Sequence, residues 1–336
     1  GSPRAITNDA NSGNFQPDFV WTKGRNEAYE HQLYDSSRGA GTTKGLTSND
    51  TSAEGNVSAT YGYLSSFDSN GFTGTAGTSG QNAYFDTNAK TYAAWQWKAN
   101  GGTTASNSNG SITSTVQANT DAGMSIVTYT GTGSDSTVGH GLGVAPNAII
   151  IKSRSNAAPW VVWTSGMAGT TSVMELNTTA AEQTVSNYWY NGFSSTTFGL
   201  GSGSYSHNTN NYTYVAYCFA EKQGFSKFGT YVGNGSTDGA FIYTGFKPAL
   251  VIVKARNSNK NWDMSTGAVS SNQIDERLRA NLADAEESSG YIDFLSNGFK
   301  MRNTNGTQNS SGLTYIYMAF AENPFVTSTG IPTTAR

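Results

Sequence analysis

The residues able to do chemistry are few and scattered. Three histidines, His31, His140 and His207, stand far apart, and none has a second His or a Cys at metal-ligand spacing. A structural or catalytic zinc needs three or four such ligands, so each histidine reads as a loop or surface residue. The one cysteine, Cys218, falls inside an apolar run, where a thiol is ordinarily buried and inert. It has no partner for an internal disulfide, so the fold does not rely on an oxidising compartment. Acidic residues are sparse, and the paired carboxylates of glycoside hydrolysis have no evident candidates. The loops Asn8 to Asn14 and Gly233 to Gly239 offer Asp and Asn oxygens that could hold calcium, although neither is a complete ligand loop. No other cofactor is expected, and the chain reads as a binding or structural protein rather than an enzyme.

Two glutamates recur. Glu221 lies 23 residues past Phe198, and Glu322 lies 23 past Phe299. Recurrence within one chain favours a shared structural role, because a catalytic site normally survives in one copy. The same holds for Lys23 and Arg25, Lys152 and Arg154, and Lys254 and Arg256, whose alternation sets both cations on one face of a strand end. We expect structural ion pairs between these cations and Glu221 and Glu322. Gly131-x-Gly133 and Gly233-x-Gly235 lack the third glycine and the helix of a phosphate cradle, and read as hairpin turns. Among the aromatics, Trp160 and Trp262 each follow a repeated arginine by six residues and read as core. Trp163 and the run Tyr188-Trp189-Tyr190 are the candidates for a sugar-binding platform, through flat rings flanked by Asn and Ser.

The elements that position these residues form three copies of one pattern. Pro17 to Arg25, Pro146 to Arg154 and Pro248 to Arg256 all read Pro-x5-Lys-x-Arg. Tyr92 to Trp97, Tyr214 to Phe219 and Tyr315 to Phe320 each place an aromatic five residues after a tyrosine, at 75, 68 and 67 residues past the proline. Weaker echoes lie between them, at Leu46 to Glu54, Leu176 to Glu182 and Leu282 to Glu286. Tyr129-Thr130-Gly131 and Tyr231-Val232-Gly233 lead into copies two and three, and the first copy lacks this strand.

The apolar blocks are strand-length runs, and glycine (39 of 336 residues) with Asn and Ser supplies the turns. The expected fold is all-β: three related β-sandwich-like modules in tandem, at 1–98, 125–224 and 225–325. A Gly, Ser, Thr and Asn-rich linker or surface excursion fills 99–124, and 326–336 is a tail. Ile274, Leu278 and Leu282 at helical spacing predict one short helix over 271–287. The net charge of −3 supplies no basic stripe for nucleic acid, and no apolar run approaches the roughly 18 residues of a membrane span.

Several phrases carry a resemblance. Phe15 to Lys23, Tyr214 to Glu221, Phe225 to Gly229 and Ala319 to Phe325 resemble a repeat domain of tailed-phage virion proteins, of the marine-phage or cyanophage type. The likeness spans Phe15 to Phe325 and transfers no catalytic motif. It implies a tail-fibre or receptor-binding region, made in the host cytoplasm and carried on the virion, that recognises host polysaccharide or lipopolysaccharide. It further implies contact with other virion proteins through an upstream segment, and a homotrimer. A purely structural appendage or decoration protein is the alternative, and a polysaccharide depolymerase ranks last.

Overall fold

The computed structural model describes residues 2–8, 13–55, 59–78, 84–202, 206–267 and 272–322. The first repeat holds β1 (Pro3–Thr7), β2 (Phe19–Gly24), β3 (Gln32–Asp35), β4 (Gly62–Asp68), β5 (Gly71–Ala76) and β6 (Tyr92–Trp97). Two short strands follow, β7 (Ala105–Asn107) and β8 (Ser114–Asn119). The second repeat holds β9 (Met124–Thr130), β10 (Ser136–Gly139), β11 (Ala148–Ser153), β12 (Val161–Thr164), β13 (Ser172–Glu175), β14 (Gln183–Thr184), β15 (Thr197–Leu200) and β16 (Thr213–Phe219). The third holds β17 (Ser226–Val232), β18 (Phe241–Tyr243), β19 (Leu250–Ala255), β20 (Asp263–Thr266), β21 (Ile274–Arg279), β22 (Glu287–Leu295), β23 (Gly298–Met301) and β24 (Thr314–Phe320). The described residues contain no helix, hence none long and apolar enough to cross a membrane.

One pairing scheme recurs. β2 lies antiparallel between β3 and β6, β11 between β12 and β16, and β19 between β20 and β24. The registers coincide, with Phe19 opposite Trp97, Ala148 opposite Phe219 and Leu250 opposite Phe320. A second layer packs over each of these, a separate sheet in the first two repeats and in the third the far end of the same eight-stranded sheet, reached through β21 and β22; there Ile6 stands opposite Phe72, Val138 opposite Phe198 and Ile242 opposite Phe299. The first repeat's β1 is therefore the counterpart of β10 and β18.

Two layers explain one face of each central strand. Val20 and Tyr34 of the first repeat meet Leu64 and Phe72 across its sandwich, and Val251 and Val253 of the third join a core with Phe294 and Phe299. The opposite face is also buried, because the three repeats share a common core. Phe19, Trp21, Trp95, Tyr217, Leu250, Ile252 and Met318 all belong to it. Period-2 alternation sends neighbouring residues to the two cores, so the strand reads as one unbroken apolar run.

At the centre, three equivalent aromatics meet. Trp97 lies 6.3 Å from Phe219 and 5.5 Å from Phe320, and Phe219 lies 5.5 Å from Phe320, ring centre to ring centre. This triangle marks a pseudo-threefold axis within one chain.

The paired glycines divide their work. A Cβ on Gly131 would stand 2.4 Å from Thr209 O, and one on Gly233 would stand 2.3 Å from Ser310 O, so close backbone approach requires glycine. Gly133 and Gly235 have φ of 71° and 67°, the left-handed region. The N–H groups of Gly133 and Gly235 donate to Asn208 O and Asn309 O, so they are not presented to a phosphate.

One element differs from expectation. The helix over 271–287 is absent: residue 271 lies outside the described residues, Ile274–Arg279 is β21, and Glu287 opens β22. A four-residue spacing returns to the same face in a strand as in a helix, so the pattern was ambiguous. A register shift between Ile274 and Glu276 then turns Ile274 into the third repeat's own core and Leu278 into the common one. Within residues 99–124, read as a linker or surface excursion, β8 pairs along β9 and β7 along β8. Few apolar side chains are needed there, because Ile112 and Val116 suffice to anchor the edge.

Candidate functional site

The repeated cations lie where each repeat meets the next. Antiparallel pairing sets Arg154 beside Thr213, whose carbonyl accepts its N–H, a strand's length away from Glu221. Glu221 pairs instead with Lys227 at 2.5 Å, and Glu322 is exposed just past β24. The glutamates that meet the arginines come from the middle echo of the pattern. Arg25 pairs with Glu286 at 2.7 Å, Arg154 with Glu54 at 2.7 Å and Arg256 with Glu182 at 2.5 Å. The same glutamates donate their N–H groups to the carbonyls of Arg25, Arg154 and Arg256. Each pair joins two different repeats, and the three together run once around the axis.

The seam has a second rung. Trp160 Nε1 donates to Thr47 O at 2.7 Å, Trp262 Nε1 donates to Glu175 O at 3.0 Å, and His31 Nε2 lies 2.9 Å from Arg279 O. His31 follows Arg25 by the six residues that separate each of these tryptophans from its arginine, so it is the tryptophan position of the first repeat. The lysines form a third rung. Lys152 Nζ donates to Thr51 O and Lys254 Nζ to Thr179 O, each across a seam, while Lys23 Nζ donates to Gly24 O within its own repeat.

Buried ionisable groups, at these seams and within the second repeat, make stability depend on pH in two windows. All three histidines lie in loops or turns between strands, as one half of the expectation has it, but they are buried rather than on the surface. Desolvation, with the nearby Lys23 charge for His31, depresses His31 to about 3, and desolvation depresses His207 to about 4. The unfolded chain takes up these protons near pH 6.5, so their contribution is complete above that value and is lost as pH falls towards 4. Burial lowers Lys23, Lys152 and Lys254 from 10.5 to about 8. Between pH 8 and 10.5 the unfolded chain holds protons that the folded chain has released, so stability rises with pH there. Urea midpoints are expected to fall from about pH 6.5 to 4.5 and to climb from about pH 8 to 9.5, before tyrosine ionisation intervenes. A midpoint that is level or falling from 8 to 9.5 contradicts the lysine assignment.

A buried polar network adjoins one seam. Arg38 donates to Asp35 through Nε and to Glu54 through Nη1 at 2.9 Å, while Tyr217 Oη donates to Asp35 at 2.8 Å. Burial opposes the Arg38 charge, but Asp35, Tyr217 and Glu54 outweigh it and raise its pKa above the ordinary arginine value. Glu54 is thus shared by Arg38 and Arg154.

Of the four aromatic residues read as a sugar platform, three are core. Trp163 stacks on Phe193 at 3.8 Å and donates Nε1 to Gly169 O. Tyr188 stacks on His207 at 4.2 Å, and Trp189 donates Nε1 to Ser172 O. Trp163, Tyr188 and Trp189 are buried, and Tyr190 is half-buried, so they offer no open face to a sugar. The shallow cavity of about 250 Å³ near Asn100, Thr103, Ser106 and Val116 is lined by no titratable side chain. Cys218 is buried, and burial pushes its thiol up to about 12, so it stays protonated.

The open aromatic face lies on the third repeat. Tyr243, Phe241 and Tyr291 are 63%, 46% and 40% exposed. In the order β22, β23, β18, Phe241 stands opposite Lys300 and Tyr243 opposite Gly298, while Lys300 stands opposite Asp293. The Phe241 ring lies against Gly298, where a Cβ would come within 3.0 Å of it. Between these rings and Tyr291 runs a charged row, with Lys300 paired to Asp238 at 2.6 Å and Arg302 to Asp293 at 3.2 Å.

A family model described as a domain of unknown function, DUF7483, matches residues 1–324. The chain belongs to the DUF7483 family. No curated protein and no solved structure matches it. The register of this DUF7483 chain shows that two of these rings are not repeat features: where Phe241 and Tyr243 flank Ile242, the equivalent strands carry Thr137 and Gly139 around Val138, and Ala5 and Thr7 around Ile6, whereas Tyr291 matches Tyr63 of the first repeat. Strand pairing, and not the sequence alone, singles out the two rings.

No group of three His, Cys, Asp or Glu that could hold a metal occurs among the described residues of the DUF7483 chain. In the loop from Gly233 to Gly239, Asn234 Oδ1 accepts from Ser236 N and the Asp238 carboxylate meets Lys300. Those oxygens are turned to donors within the protein. Residues 9–12 of the other calcium candidate lie outside the described residues.

Proposed function

We propose that this chain is a receptor-binding region of a tailed-phage virion appendage, and that Phe241, Tyr243 and Tyr291 bind polysaccharide or lipopolysaccharide on the host surface. The observation that carries the reading is that, among the described residues, the exposed aromatic rings all lie on the third repeat. Positions that recur hold the molecule together, whereas a departure that leaves large apolar groups in water has no such structural use. Rings beside paired charges suit sugars, whose apolar faces stack on aromatics and whose hydroxyls or acidic groups meet the charged row.

Phe241→Ser and Tyr243→Ser are expected to weaken attachment to host cells at least roughly tenfold each, the equivalent of about 1.4 kcal/mol. Thermal stability is expected to change little, since both rings are exposed. Attachment at full strength in both variants would remove this face from consideration. A purely structural appendage is the second reading, favoured by the use of Arg25, Arg154 and Arg256 in the seams. Failure of the unsubstituted protein both to bind host cells and to block adsorption would select it.

A further inference from the structure

The aromatic face of the third repeat also departs from the other two in charge. One and three positions past the inward phenylalanine stand Thr73 and Thr75 in the first repeat, Gly199 and Gly201 in the second, and Lys300 and Arg302 in the third. Alternation turns Lys300 and Arg302 to the outer face. Lys300 stands opposite Phe241 on one side and Asp293 on the other, and Arg302 N donates to Tyr291 O at 2.9 Å. Neighbouring strands lie about 4.8 Å apart, so β18 and β22 are separated by about 10 Å, more than the width of one sugar ring.

The charges in this row cancel. Lys300 Nζ lies 2.6 Å from Asp238, and Arg302 lies 3.2 Å from Asp293 and 3.7 Å from Asp238. Two cations therefore face two carboxylates. Hydrogen bonding from Lys300 holds Asp238 below the usual carboxylate range, so its charge is kept at neutral pH. The whole chain carries a net charge of −3, which gives a polyanion no long-range attraction.

A sugar hydroxyl both donates and accepts, so one set beside an ion pair takes a hydrogen bond from the cation and gives one to the carboxylate. An ionised sugar carboxylate or sulfate only accepts. It would exchange one exposed ion pair for another without net gain, and would lie against the Asp238 or Asp293 carboxylate that it displaced. Given the glycan-binding role proposed above, on which this rests, we infer that the ligand is an uncharged glycan chain, its rings on the exposed aromatics and its hydroxyls bridging Lys300 and Arg302 to Asp238 and Asp293. Acidic glycans are excluded by the same two carboxylates.

The test is binding of the full 336-residue chain to free polysaccharide and to delipidated lipopolysaccharide glycan from host cells, each split by anion exchange into uncharged and acidic fractions. The uncharged fraction of one preparation is expected to bind at least roughly tenfold more tightly than its acidic fraction, and the preparation that supplies it identifies the source. That binding should change less than about twofold between about 0.05 and 0.5 M salt, and Phe241→Ser should remove it. Asp238 is 81% exposed, so Asp238→Asn leaves the fold intact, and freeing Lys300 should raise affinity for the acidic fractions about threefold at low salt. Tighter binding of an acidic fraction, lost in Phe241→Ser, overturns the choice of ligand and leaves the receptor-binding face standing. So does an Asp238→Asn variant that binds acidic fractions no better than the unsubstituted chain. Binding that survives Phe241→Ser, or no binding of any fraction, overturns the face itself and this inference with it.

Discussion

Arg38→Met is expected to lower the unfolding free energy by about 3–5 kcal/mol, the usual cost of stranding a buried charge by removing its partner. The substitution leaves the Asp35 carboxylate, fully buried in the structure, with the Tyr217 hydroxyl and a backbone N–H as its donors. Glu54 keeps Arg154 and suffers less. The double variant Arg38→Met, Asp35→Asn is expected to recover part of the loss, because it no longer strands an ionised group. Urea unfolding of both variants at neutral pH provides the measurement. A loss under about 1 kcal/mol in the single variant would mean that the network contributes little to stability.

Phe219→Ala is the second large effect, about 3–5 kcal/mol for a truncated core phenylalanine. Phe219 touches an equivalent ring in each of the other repeats, so the cavity opens on the axis and all three repeats lose packing together. Calorimetry should show one unfolding transition displaced to lower temperature. Trp97→Ala combined with Phe219→Ala should cost less than the two single losses added, since the rings share one contact. Two resolved transitions in the single variant would show that the repeats unfold independently and that the axis does not couple them.

The strands and their repetition were legible because each local cue agreed with the tertiary use. Pro-x5-Lys-x-Arg opens a central strand three times, and its unbroken apolar run reflects burial on two faces. The ring was not legible, because its contacts join residues remote in sequence: Arg25 and Glu286 are separated by 261 positions. Glu54, Glu182 and Glu286 were visible as an echo, but Glu221 and Glu322 recurred at a fixed spacing and drew the pairing argument to themselves. Spacing measures sequence distance, and antiparallel strands set the arginines at the far end from those two.

The aromatic residues misled for a related reason. Tyr188 to Tyr190 lack a counterpart in the other repeats, as a functional departure would, yet Tyr188 and Trp189 fill space around His207. Phe241 and Tyr243 lie on a three-residue strand, too short for its pattern to announce which face meets water. Only the pairing of Ile242 with Phe299, matched to that of Val138 with Phe198, separates inward from outward there.

The pseudo-threefold axis also bears on how the molecule can change. In a homotrimer built from three identical subunits, a single mutation alters three surfaces at once, and a ligand site off the axis comes in triplicate. Here the three positions are encoded separately in one polypeptide, so one lobe is free to vary its outer face while its siblings preserve the scaffold.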